Sequence, residues 1–132
     1  MQRRLKKIER VLSVQEKLHR LAEWQLAAVD REKAEVAGSQ AALLDAFNRD
    51  GALHGLFVEA MAKRLTALAR EADRLDRARA TQSRRLLEEG LKLKRVERMT
   101  ERVRRAHLTH LTRRGFDDLL EALMKPDDAS FP

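Results

Sequence analysis

No proline stands before residue 126 of this 132-residue chain, and along that span apolar residues return at steps of three and four. A chain patterned in this way buries one stripe along a helix and leaves the other faces to water. Alternating steps of three and four are also the spacing by which two helices wind about each other. That single property sets the fold class before any other residue is considered.

The first stripe runs Leu5, Ile8, Leu12, Leu18, Leu21, Val29, Val36, Leu43 or Leu44, and Phe47. Its phase shifts between Leu12 and Leu18, where Val11 and Val14 compete for the buried face. The run ends at Asn48-Arg49-Asp50-Gly51, the clearest turn signal in the first hundred residues. Asp-Gly favours a left-handed turn, and the Asp50 side chain suits a helix cap. The second stripe runs Phe57, Met61, Leu65 or Arg64, Leu68, Leu75 and Gln82, then Leu86, Leu93, Val96, Thr100 and Val103. Its phase jumps by four between Gln82 and Leu86, a stutter that locally unwinds a supercoil.

These patterns predict an all-α fold, an antiparallel two-helix coiled-coil hairpin with unequal helices. Helix one spans about residues 2–49, the turn 48–52 and helix two about 52–114, so that residues 1–114 form the hairpin. At 1.5 Å per residue the helices are roughly 70 Å and 90 Å long, and folding about Asp50 places residue numbers totalling roughly 100 opposite each other. Trp24 then faces the neighbourhood of Ala78, and the turns from about His107 overrun helix one. Gly38 and Gly90, inside the helices, each cost about 1 kcal/mol relative to Ala. Beyond Gly115, residues 116–125 read as a short acidic amphipathic helix, and residues 126–132 as a disordered tail.

Composition narrows the function classes. Charged residues are 37% of the chain and aromatics 4%, with one Trp and no Tyr, which suits a thin Leu/Ala seam better than a broad core. Without cysteine there is no disulfide framework and no thiolate metal site. No apolar run is long enough to span a membrane, and the basic start is followed by no apolar stretch, so the cytoplasm is the simplest location. His107 and His110 share a helix face but lack a third ligand nearby, which leaves them short of a zinc site. No phosphate-cradling loop or nucleophile elbow is present, and two paired helices offer no water-excluding pocket for catalysis. Neither an enzyme nor a cofactor is expected.

Charge is segregated along the chain. Residues 1–20 hold seven Lys or Arg against two Glu, and residues 84–114 hold eleven against four. Residues 21–83 come to −1 and residues 115–132 to −4. The predicted hairpin brings the two basic segments side by side. A cluster including Arg95, Arg98, Arg102, Arg104 and Arg105 then suits an acidic partner. Nucleic acid is disfavoured by the absence of aromatics among the arginines, and a membrane surface by the interspersed acids. Near the turn, Gln40, Leu44 and Phe47 face Phe57, Met61, Arg64 and Leu68, either as seam packing or as an apolar-aromatic docking surface.

With these features in place the chain resembles the FliJ family, the coiled-coil component of bacterial flagellar type III export, and its YscO-type virulence counterparts. The resemblance covers most of the chain and is most specific at Leu56-Phe57-Val58-Glu59-Ala60-Met61-Ala62-Lys63-Arg64-Leu65. It implies a stalk like that of rotary ATPases, with three partners: an export ATPase hexamer, the cytoplasmic domain of the export gate, and export chaperones. It further implies that Gln40, Leu44, Phe47, Phe57, Met61, Arg64 and Leu68 dock the gate. The basic end, with Arg3, Arg4, Lys7, Arg95, Arg98, Arg102 and Arg105, would meet the ATPase ring. The expected function is a non-enzymatic adaptor, cytoplasmic or peripheral at the inner-membrane export apparatus through its partners, with no small-molecule substrate. The alternatives are a basic helical nucleic-acid-associated protein and a generic self-assembling coiled-coil scaffold.

Overall fold

The computed structural model describes residues 2–49 and 55–125, apart from the side chain of Leu56. Two helices account for nearly all of them, α1 over Gln2–Arg49 and α2 over Gly55–Met124. The fold is all-α, two helices of 48 and 70 residues packed against each other as a helical hairpin of unequal arms. α1 ends at Arg49, the bound expected for helix one, so Asn48 and Arg49, which the expected turn at 48–52 also included, belong to the helix. The start expected for helix two at residue 52, the Asp50 cap and the tail over 126–132 lie outside the described residues.

Packing divides the chain into two units, Lys17–Leu91 and the pair Met1–Glu16 with Lys92–Pro132. In the Lys17–Leu91 unit, α1 contributes Ala22, Leu26, Val29, Val36 and Leu43, all buried or half-buried. From α2 come Met61, Leu68 and Leu75, and Leu75 is 1% exposed. Polar pairs flank this seam. Lys33 meets Asp76 at 2.8 Å, and Asp30 accepts a hydrogen bond from Arg79 at 2.7 Å. A Cβ added to Gly90 would stand 3.6 Å from Nε2 of His19. The partners 33 and 76, 30 and 79, and 19 and 90 each total 109. The helices are therefore antiparallel, in a register shifted from the total of roughly 100 expected for a fold-back about Asp50. Trp24 shows the consequence: the shifted register sets it opposite the neighbourhood of residue 85 rather than Ala78, and 62% of it is exposed.

In the second unit, Leu5, Ile8, Leu12 and Gln15 of α1 are matched by Leu93, Val96, Thr100 and Val103 of α2. Thr100 is fully buried, and its Oγ1 donates to the Val96 carbonyl at 2.7 Å. That bond satisfies the hydroxyl within its own helix, so the seam tolerates it. Glu9 and Arg104 join the helices at 3.5 Å.

Three expectations are corrected. The buried face of α1 does not shift to Val11, Val14, Leu18 and Leu21, which are all exposed. Gln15 and Ala22 are buried and His19 half-buried instead, which continues the steps of four and three set by Ile8 and Leu12. The stutter is also absent. Gln82, Leu86 and Glu89 are half-buried at steps of four and three, the same beat as Leu68, Ala72 and Leu75. Finally, α2 does not stop at Arg114. It runs through Gly115 to Met124, because one helical glycine costs only about 1 kcal/mol among good helix formers.

Candidate functional site

The seven residues expected to dock the export gate all lie in the Lys17–Leu91 unit, and packing sorts them into two groups. Met61 and Leu68 are buried on the inner face of α2. Gln40 is half-buried at a seam position of α1. These three hold the helices together and offer a partner little surface. Phe47 and Phe57 are 40% and 52% exposed, and Leu44 and Arg64 are exposed beside them in sequence. Phe57, Met61, Arg64 and Leu68 recur at steps of four, three and four, so they lie on one face of α2. Burial falls on alternate members because that face straddles the edge of the seam. What remains available for recognition is two phenylalanines, a leucine and a guanidinium.

The basic candidates lie in the other unit. Arg95, Arg98, Arg102 and Arg105 recur at steps of three, four and three, forming one row on α2. The row lies well round the helix from Val96, Thr100 and Val103, and all four arginines are exposed. Glu97 and Glu101 sit beside it, and Lys94, Glu97, Arg98, Glu101, Arg102 and Arg105 line an open hollow. Glu101 holds Arg105 at 3.1 Å. Arg95, Arg98 and Arg102 make no ion pair with any described residue, nor do Arg3, Arg4 and Lys7. Arg4 and Arg102 come together with Val103 and Ala106 around a second small hollow, so the first turns of α1 add to this basic surface. Arg3 and Lys7 are exposed on α1 and line neither hollow.

Elsewhere the electrostatics are those of solvated pairs. Arg74 donates to both carboxylate oxygens of Glu71, which holds that carboxyl below the usual carboxylate range and raises the guanidinium in turn. His107 is half-buried, and its Nδ1 has no hydrogen-bond partner among the described residues. No three His, Asp or Glu side chains gather to hold a metal among the described residues. No described helix is long and apolar enough to cross a membrane.

Sequence reading gave less weight to the end of α2 than the structure does. Every described residue from 108 to 125 is exposed, including Leu108, Leu111, Phe116, Leu119 and Leu123. The signal was present in the sequence as leucines continuing at helical spacing past the last turn that α1 can cover.

The fold and these surfaces define a coiled-coil-like helical hairpin with exposed aromatic and arginine-rich faces. No family model, curated protein or solved structure matches the chain.

Proposed function

We propose that this protein is a non-enzymatic stalk and adaptor of the flagellar or a related type III export apparatus. It couples an export ATPase ring to the export gate and assists export chaperones, working in the cytoplasm or peripherally at the inner membrane through these partners. The observation that carries this reading is the separation of two kinds of exposed surface between two packing units. The row Arg95, Arg98, Arg102 and Arg105, joined by Arg3, Arg4 and Lys7, offers positive charge that the protein itself leaves largely unpaired. Phe47, Phe57, Leu44 and Arg64 offer an apolar-aromatic surface of the kind that anchors interfaces. The resemblance of residues 56–65 to the FliJ family supplies the identity of the partners.

In this mechanism the arginine row seats against acidic groups on the ATPase ring, and the aromatic surface bears on the gate. Met61, Leu68 and Gln40 act only by holding that surface in place. Reversing Arg98, Arg102 and Arg105 to Glu should weaken binding to the purified ATPase by at least about tenfold, roughly 1.4 kcal/mol. Phe47→Ala with Phe57→Ala should impair binding to the gate domain with helix content unchanged, because neither side chain is in the seam. Unchanged ATPase affinity in the first variant removes the basic surface from the mechanism. Duplex DNA binding with a steep salt dependence would instead favour a nucleic-acid-associated protein.

A further inference from the structure

Between Val11 and Trp24, α1 carries two rows of side chains at helical spacing, and α2 covers only one of them. The covered row is Leu12, Gln15, His19 and Ala22, all buried or half-buried. The other is Val11, Val14, Leu18 and Leu21, at steps of three, four and three, with Trp24 one turn beyond Leu21. These five side chains are 42% to 62% exposed, and they are the exposed large apolar residues that α1 holds before Leu44. The open row is thus more apolar than the stretch of seam beside it. Single surface leucines need no explanation, but a straight row about 20 Å long marks an interaction surface.

The charges around the row say what covers it. Continued towards the N-terminus by the same steps, it runs through Lys7 and Arg4, and Arg10 and Lys17 line its outer border. All four cations are exposed, and none makes an ion pair with any described residue. The acids of this stretch, Glu9, Glu16 and Glu23, recur every seven residues on the opposite face of α1. There Glu9 meets Arg104 and Glu23 meets His19. A second copy's α1 laid on the row would set these cations against their like, whereas acids would match them. Steps of three and four also keep the row parallel to the existing seam, as a third helix requires and a lipid surface does not.

We propose that this row is a docking surface for an acidic amphipathic helix of a partner protein, with a leucine-type stripe bordered by Asp and Glu. That stripe interlocks with Val11, Val14, Leu18 and Leu21, its acids meet Arg10 and Lys17, and Trp24 anchors its end. A helix of about four turns matches the length of the row. The inference goes beyond the stalk-and-adaptor reading. Neither Arg95, Arg98 and Arg102 nor Phe47 and Phe57 take part, so the two stand or fall separately.

Trp24 is the only tryptophan, so its fluorescence reports on the row directly. The full chain would be titrated with a tryptophan-free synthetic helix of about three heptads, with Leu at the core positions and Glu at those flanking them. The Trp24 emission should shift to the blue and saturate, with Kd below about 100 µM for so small an interface. A peptide of the same design with Lys in place of Glu should leave it unmoved. Leu18→Gln with Leu21→Gln should weaken the acidic peptide at least about tenfold, as should Arg10→Glu with Lys17→Glu. Both variants should keep the parent's helix content, and the first should also keep its urea midpoint. An acidic peptide that does not bind, or that binds the leucine variant as well as the parent, overturns the proposal. So does a lower midpoint in that variant, which would mean that α2 covers the row. A blue shift on phosphatidylserine vesicles that the acidic peptide does not match would overturn it in favour of a membrane. A parent that sediments as a dimer only with Leu18 and Leu21 intact would overturn it in favour of a second copy.

Discussion

Between residues 93 and 107, α2 turns Leu93, Val96, Thr100 and Val103 towards α1, and all four are buried or half-buried. Between 108 and 124 the same helix carries Leu108, Leu111, Phe116, Leu119 and Leu123, bulkier and more apolar as a set, and all remain exposed. Burial in this protein therefore follows the presence of a facing helix rather than the apolarity of the residue. The seam accepts Gln15 and Thr100, and the phenylalanine and leucines beyond it stay in water. A thin two-helix interface is fixed by its register, and the register carries along whatever polar residues fall on the beat.

Substitutions of similar chemistry in the two kinds of stretch should expose this difference most strongly. Leu75, 1% exposed in the seam, should cost about 3 kcal/mol when changed to Ala, from lost burial and the cavity left behind. Leu119→Ala should cost less than about 0.5 kcal/mol at concentrations where the chain is monomeric, as for an ordinary surface change. Urea denaturation of both variants checks the pair. Comparable losses would mean that residues 108–124 are covered within a single chain.

The next effect has the opposite sign. Oε1 of Gln82 is buried without a hydrogen-bond partner among the described residues. An unsatisfied buried carbonyl carries a desolvation penalty of about 1–3 kcal/mol, so Gln82→Leu should raise stability by about 1 kcal/mol once strain is allowed for. A rise in the denaturation midpoint with unchanged slope would show that the polar residue is carried by register and not selected for strength. A fall would show that Gln82 has a partner, such as an ordered water, that the seam depends on.

The fold class was legible in the sequence because steps of three and four persist almost unbroken from Leu5 to Val103. Where reading by apolarity went astray, register had overridden it. Val11, Val14, Leu18 and Leu21 outrank Gln15, His19 and Ala22 in hydrophobicity, but they fall off the beat that Ile8 and Leu12 begin. The stutter expected at Gln82 has the same origin, because the polar Glu89 continues the beat from Leu86 to Leu93. Of the candidate docking residues, sequence alone could place Phe57, Met61, Arg64 and Leu68 on one face. It could not say which lay at the edge, since that depends on the angle at which α1 approaches. The register differs from the expected one for a further reason: helix pairs totalling 109 cannot be read from a turn signal alone.

Glycine allows a smaller test on the same helices. Gly38 is exposed on α1, and among the described residues no atom beyond its chain neighbours and its own helix's nearby backbone lies within 4 Å of where its Cβ would be. Gly38→Ala should therefore add about 0.5–1 kcal/mol, through helix propensity and a less flexible unfolded chain. Thermal melts read this directly. A destabilised variant would mean that α1 needs its flexibility there and that the seam near Val36 is not rigid.

The smallest effect comes from the exposed charges flanking the seam. Glu71 accepts hydrogen bonds from Arg74, which also lies 3.9 Å from Glu32 of α1. The hydrogen bond to Arg74 is the main reason the Glu71 carboxyl is held below its ordinary value. A group with a depressed folded pKa contributes stability above the pKa it has when unfolded, and loses that contribution as pH falls through the folded value. The gap in denaturation midpoint between the parent and Glu71→Gln should therefore be full at pH 7, narrow as the carboxylate range is entered, and close at about pH 2. Because both side chains are exposed, salt at about 1 M should shrink the pH 7 gap as well. A gap that persists at low pH and high salt would show that Glu71 acts by packing its methylenes along the seam. In that case even the flanking charges of the paired stretch would owe their place to the facing helix.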